Sequence, residues 1–279
     1  MPDQPERSIE CAITQARQLI DAADSLIFTA GAGMSVDSGL PDYRGDQGFW
    51  REYGGLQATA ISYEMLSTSA AFAQAPEIAW GFFGHRLNLY RATAPHQGYA
   101  LLREMANAKP GGAFVITTNI DGHFEMAGFQ SDRIAEIHGN VHYLQCSDTC
   151  SEAVWPANQF FPIIDDKECR LISELPKCPD CGALVRPNVL MFSDWGWNEQ
   201  RAHSQKRRFA AWRKTVRAPI LIELGAGDAI PAIRRLSERQ RVPVIRINPQ
   251  HDDLPGHLIK VGSIAIRLGA LDALQRLTV

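Results

Sequence analysis

The sequence predicts an α/β protein in which a parallel sheet carries helices on both faces, with a small inserted metal-binding module and a helical segment. Three observations lead there. Short apolar runs alternate with stretches of helical spacing, the pattern of buried strands joined by crossover helices. The first of these runs ends in a glycine turn, Gly31-Ala32-Gly33. Five of the six cysteines crowd between Cys146 and Cys181, where Pro, Asp and Lys interrupt the alternation.

Taken in order, Ile9, Ala12, Ile13, Ala16, Leu19, Ile20 and Ala23 repeat at helical spacing behind Ser8 as a cap, which predicts an amphipathic first helix. Residues 25–30 (SLIFTA) read as a buried strand running into the glycine turn. Residues 46–94, rich in aromatic and small residues without clean periodicity, are expected to be a helical insertion. A helix over 97–106, a strand over 113–117 (AFVIT) and a third strand over 134–137 follow, the last ending at His138-Gly139. Residues 146–183 read as the inserted module. Beyond it, residues 184–192, 220–224 and 244–247 are expected strands, separated by helices near 198–216 and 230–240, with a last helix over about 264–277. The sheet domain is thus expected to comprise residues 1–45, 95–145 and 184–279.

The chain has 279 residues, room for about two domains at roughly 150 residues each or for one large α/β unit. Its 45% apolar and 21% charged residues exclude a disordered, collagen-like or coiled-coil protein. The net charge of −3 gives no electrostatic case for binding nucleic acid or a membrane surface. No stretch approaches 18 uninterrupted apolar residues, and no apolar run of the secretory kind follows MPDQPERSIE. A soluble, cytoplasmic protein is the expectation.

Glycines without Cβ let a backbone approach a pyrophosphate closely, which is why dinucleotide sites carry them after a first strand. Here Val36 stands where the third Gly of G-x-G-x-x-G would be, so the generic fingerprint is not met. Asn119 and Asp121 sit two apart at the end of the 113–117 strand, so both side chains are placed to point to one face, at the edge where α/β proteins bind ligands. His138, fixed by Gly139, is a candidate general base, since an imidazole exchanges a proton near neutral pH.

The string GAGMSVDSGLPDYRG resembles the nucleotide-binding signature of the sirtuins, the NAD-dependent protein deacylases, nearly residue for residue. The resemblance continues in order through Thr117-Thr118-Asn119-Ile120-Asp121, His138-Gly139, paired cysteines, Val185-Arg186-Pro187, Gly225 and Ile247-Asn248, and so spans roughly residues 10–275. It implies a Rossmann-like sheet, a zinc module and NAD in the cleft between them. By the same resemblance Asp121 and the Ile120 backbone hold the nicotinamide carboxamide, Asn119 orients the ribose and a water, and His138 deprotonates the ribose. Gly31, Ala32, Gly33, Ser35, Asp42, Tyr43, Arg44 and Thr118 would line the dinucleotide, Tyr43 replacing the family's usual Phe as a ring over the ribose. Gly225, Ala226 and Asn248 would meet the adenosine half, with Gly225-Ala226-Gly227 in place of the usual Gly-Thr-Ser.

The cysteines read Cys146-x-x-x-Cys150, then, after 27 residues, Cys178-x-x-Cys181, with Pro179 and Gly182 shaping a knuckle. Four thiolates can close a tetrahedral zinc site with no open position, hence a structural role. Cys169 lies between the pairs and is an alternative to Cys150; Cys11 reads as a small core residue.

Departures from the family pattern bear on substrate. Thr118 replaces a usual Gln, and Phe192-Ser193-Asp194 replaces the Phe-Gly-Glu that pairs with the substrate backbone, followed by Trp195-Gly196-Trp197. Asp194 is a candidate to steer an amine, and the two Trp either wall an acyl channel or pack a junction. Protein-lysine deacylation of an acyl-lysine protein or peptide is the favoured activity. ADP-ribosyl transfer to protein and NAD hydrolysis are the alternatives, all three sharing nicotinamide cleavage. The basic run Arg201, Lys206, Arg207, Arg208, Arg213, Lys214 reads as a solvated helix face. It leaves a zinc adaptor that only senses NAD as the reading from another class.

Overall fold

The computed structural model describes residues 4–41 and 62–278. The first helix, α1 (Gln4–Ala22), starts before Ser8 rather than behind it. Pro5 falls in its first turn, where the missing N–H costs nothing. Strand β1 (Ser25–Ala30) is buried throughout. Strands β2 (Ala113–Thr117) and β3 (Ile134–Glu136) flank it on one side. Strands β9 (Pro219–Leu224), β10 (Val244–Ile247) and β11 (Ile264–Ile266) extend it on the other. Every pairing in this six-stranded sheet is parallel, in the order β11-β10-β9-β1-β2-β3. The chain leaves β1 in one direction and returns to its other side at β9, so the order reverses between these two strands. Ligands of doubly wound sheets bind outside the carboxyl ends at such a point.

Alternation along β1 builds the two cores. Leu26, Phe28 and Ala30 enter one, with Ile13, Tyr99, Leu102 and Leu274 from α1, α3 (Gln97–Asn107) and α6 (Ala270–Thr278). Ile27 enters the other, with Phe114, Leu221, Val244 and Trp212, the last from α4 (Gln200–Arg213). The charge that interrupts the apolar run of β9, Glu223, is paired inside the second layer with Arg246, 2.5 Å away and fully buried. Helix α5 (Ala232–Arg239) completes that layer.

A separate antiparallel sheet has the order β5-β4-β8 and comprises β4 (Gly139–Cys146), β5 (Val154–Pro156) and β8 (Val185–Val189). Two expectations are corrected here. The strand expected near 184–192 is present as β8 but pairs antiparallel with β4 instead of joining the parallel sheet. The last helix begins at Ala270, because Ile264–Ile266 pairs with β10 as a sixth strand. Of the stretch 46–94, residues 46–61 lie outside the described residues. The rest is helical over Tyr63–Leu66, Ser69–Gln74 and α2 (Pro76–Ala92). Helix α2 docks on the hairpin of β6 (Ile164–Asp165) and β7 (Arg170–Leu171). A Cβ on Gly81 would lie 1.9 Å from the Cys169 carbonyl oxygen, so only glycine permits that approach. Among the described residues no helix is long and apolar enough to cross a membrane.

Candidate active site

The two glycine turns meet at the switch point. Gly33 N–H donates to the Gly225 carbonyl at 3.1 Å, and Gly31 N–H to Leu224 at the end of β9 at 2.9 Å. A Cβ on Gly33 would stand 2.7 Å from the Gly225 Cα, and one on Gly225, whose φ is +59°, 2.3 Å from the Gly33 carbonyl carbon. These glycines therefore serve the close approach of β1 and β9 as much as that of any ligand. Asn248 donates from Nδ2 to the Ala226 carbonyl at 3.0 Å, pinning the second turn, while its Oδ1 accepts the N–H groups of Gln250 and His251.

In front of the turns lies a cavity of about 510 Å³. Its wall includes Ala32, Ser35, Thr118, Asn119, Ile120, Asp121, His138 and Phe192. Ser35 is the hub of its floor. Its hydroxyl donates to Asp121 Oδ2 at 2.6 Å and accepts from Asn119 Nδ2 at 3.1 Å, with the Tyr99 hydroxyl 3.0 Å away. Since the single Ser35 proton goes to Asp121, the Tyr99 phenol must donate. Burial, reinforced by the Asp121 charge, holds that phenol well above its ordinary range, so it remains a donor. Asp121 Oδ1 accepts the His123 N–H at 2.9 Å, and Asn119 Nδ2 also donates to Gly31.

His138 is half-buried, and its carbonyl accepts the Leu190 N–H at 2.9 Å. Gly139, at φ +78°, follows it; a Cβ there would lie 2.0 Å from the Asn188 carbonyl oxygen. The chain must therefore carry glycine at this position for β4 to run beside β8 behind His138.

Asp42, Tyr43 and Arg44 lie outside the described residues. Ser193, at φ +50°, Asp194 and Trp195 are not on the cavity wall. The Asp194 carboxylate is fully buried and paired with Arg186, whose Nη1 donates at 2.9 Å, and it accepts the N–H groups of Met191 and Gly196. It holds its own loop and does not face an incoming amine. Trp195 is 98% exposed, so it walls no channel. The opposite wall instead comes from Tyr63, Phe83, Arg86 and Tyr90. Arg86 donates to the Tyr90 hydroxyl from Nε at 2.9 Å and from Nη2 at 2.7 Å. None of these four was expected; the helical spacing of 83, 86 and 90 was the available signal.

Cys146, Cys150, Cys178 and Cys181 converge, with all four sulfurs within 4.8 Å of one another and two Sγ–Sγ distances of 3.6 Å. A tetrahedral ion with zinc–sulfur bonds of about 2.3 Å needs edges of about 3.8 Å. Cys169 is outside the group, buried beneath α2, so Cys150 is the fourth donor the fold offers. Backbone N–H groups, Cys181 first, lower the Cys178 thiol to about 7, which favours the thiolate a metal takes.

The Sir2 family model matches residues 31–226, and the chain belongs to that family. Among its relatives, a protein from Aeropyrum pernix described as an NAD-dependent protein deacylase is 27% identical over 97% of each chain. One of the same description from Pyrococcus furiosus is 30% identical over 76% of this chain and 75% of its own. One from Thermococcus kodakarensis is 34% identical, over 64% of this chain and 63% of its own. The fold matches that of a Sir2 homologue solved as an NAD complex, at a TM-score of 0.69 and 22% identity, covering 95% of this chain and 92% of that one.

Proposed function

We propose that the chain is an NAD-dependent protein-lysine deacylase that removes an acetyl or other acyl group from a lysine side chain. The products would be nicotinamide and O-acyl-ADP-ribose. The observation that carries this reading is the convergence of Ser35, Asn119, Ile120, Asp121 and His138 on one cavity, directly in front of the Gly33–Gly225 contact. When bound, NAD supplies a ribosyl carbon to which the acyl oxygen can bond as nicotinamide leaves.

The chain's own residues do the rest by position. Gly31, Gly33, Met34 and Ser35 spend their N–H groups within the fold, which leaves that of Ala32, on the cavity wall, as the turn's donor to a phosphate. Asp121, with one bond on each oxygen, presents a carboxylate of fixed plane to the carboxamide, beside Ile120. Both Nδ2 hydrogens of Asn119 are committed, so its Oδ1 is the atom that orients ribose and water. His138 takes a proton from a ribose hydroxyl, help typically worth about a hundred- to ten-thousand-fold in rate. Cys146, Cys150, Cys178 and Cys181 would hold a structural zinc. A cytoplasmic location accords with this reading.

The burial of Asp194 favours a second reading, because an acid spent on Arg186 is not offered to a substrate amine. ADP-ribosyl transfer to protein, or NAD hydrolysis, would then use the same nicotinamide-cleaving wall. Mass spectrometry of products from NAD and an acetyl-lysine peptide separates them. O-acetyl-ADP-ribose that vanishes in His138→Ala supports deacylation, whereas a labelled protein or free ADP-ribose alone supports the second reading.

A further inference from the structure

Two buried side chains meet across the turn that carries His138. Glu136, the last residue of β3, is 3% exposed, and Asn140, the second residue of β4, is 1% exposed. Asn140 Nδ2 donates to Glu136 Oε1 at 2.5 Å, bridging the turn with His138 at its midpoint. The oxygen end of the amide reaches a different turn only through His142. Asn140 Oδ1 accepts the His142 N–H at 2.8 Å, and His142 Nε2–H donates to the Asp121 carbonyl at 2.9 Å. A Cβ on Gly122, next to Asp121, would stand 3.3 Å from Asn140 Nδ2 and 3.0 Å from the His142 ring. Asn140 thus bonds across the turn bearing His138 and is linked through His142 to the turn bearing Asp121.

Glu136 is itself held from α4. Arg201 Nη1 lies 2.6 Å from its second oxygen and stacks over the Tyr143 ring at 4.0 Å, and Gln205 Oε1 accepts the Glu136 N–H at 3.0 Å. Neither Glu136 nor Asn140 is on the cavity wall. The backbone of the turn is tied at Ile137, which donates to Thr117, and at the His138 carbonyl. The side-chain bridge is a further tie across the same turn.

We propose that Glu136 and Asn140 are positioning residues that set His138 against Asp121, with Arg201 as their anchor. The proposal rests on the reading of His138 as the base. A misplacement of about 1 Å in a reacting group costs about a hundredfold, so a lost bridge should be visible in turnover without a lost fold.

The test measures kcat and KM for NAD with an acetyl-lysine peptide in Asn140→Ala, Glu136→Gln, His138→Ala and the double variant Asn140→Ala/His138→Ala, with thermal melting and metal content as controls. Asn140→Ala should lower kcat by about 10- to 100-fold and change KM for NAD less than about twofold. Glu136→Gln, whose single amide oxygen still accepts the Asn140 hydrogen but which loses the charge paired with Arg201, should lower kcat less than Asn140→Ala does. In the double variant the loss should equal that of His138→Ala alone, because the bridge acts only through that ring. Wild-type kcat in Asn140→Ala, a loss that adds to that of His138→Ala, or a fall in kcat that merely follows a fall in melting temperature would each overturn the positioning role while leaving the site's reading intact. Full activity of His138→Ala would overturn both.

Discussion

The parallel sheet and the antiparallel sheet that carries the cysteines are stabilised in different ways. The first is covered on both faces by apolar layers, and its strands, three to six residues long, bury nearly every side chain. The second has strands of three to eight residues beside a hairpin of two-residue strands, and a core that depends on α2 for Trp80, Phe82 and Phe83. Four of its thiols point at one another. This region takes part of its order from a neighbouring helix, and a metal held by the four thiols would supply more.

The largest effect that would separate the two is removal of a metal ligand. Cys146→Ser or Cys178→Ser should abolish stoichiometric zinc and unfold the antiparallel region, at a cost bounded by the ~10–16 kcal/mol that zinc contributes to isolated finger peptides. Cys169→Ser, outside the cluster, should keep full metal content; elemental analysis and hydrogen exchange of the two sheets read both. Next comes Asp194→Ala, which strands the buried Arg186 charge on β8 and should cost about 3–5 kcal/mol in denaturant unfolding. If that loss proves below ~1 kcal/mol, the Arg186–Asp194 pair is not what orders the loop.

In the parallel sheet the sharpest point is the contact of glycine turns. Gly225→Ala should lose about 1–3 kcal/mol through overpacking against the Gly33 backbone and, by calorimetry, its affinity for NAD. The smallest effect is a pH slope. His96 caps α3 by accepting the Gly98 N–H at Nδ1 while Nε2–H donates to Met34, so the ring is neutral, and burial lowers its pKa. The unfolded chain therefore binds the proton more readily. The stability this ring contributes is complete above the ordinary histidine range near 6.5 and is lost as pH falls through the lower folded value. His96→Asn should keep the cap and flatten the stability profile between pH 7 and 5.

Legibility in the sequence follows the same division. Where burial is apolar and uniform, as in SLIFTA and AFVIT, strands and their parallel pairing can be read directly. Val185–Val189 (VRPNV) is equally buried although its middle residues are Arg186, Pro187 and Asn188, and its neighbours are β4 and α2; burial alone does not name the partner. Ile264–Ile266 is too short to stand apart from the helical pattern that follows it. At the site, the family's motifs single out Asn119, Asp121 and His138, and all three line the cavity. No motif singles out Tyr99, Asn140 or Arg86, because their contacts exist only in the folded chain. Asp194 was misread for the converse reason, as the sequence does not reveal that Arg186 consumes its charge.

Helix α2 presents Gly81 and Gly84 to the hairpin and its approach, Asn88 and Arg91 to the carbonyls of Pro162, Phe160 and Ala157 that lead into it, and Phe83, Arg86 and Tyr90 to the cavity. Trp80 also bonds the Val185 carbonyl of β8 at 2.8 Å. A metal gripped by the thiolates and a ligand gripped in the cavity would thus bear on opposite sides of a single rod. Two such ligands are thermodynamically linked, and the linkage is reciprocal: whatever the metal adds to affinity in the cavity, occupancy of the cavity returns as tighter retention of the metal.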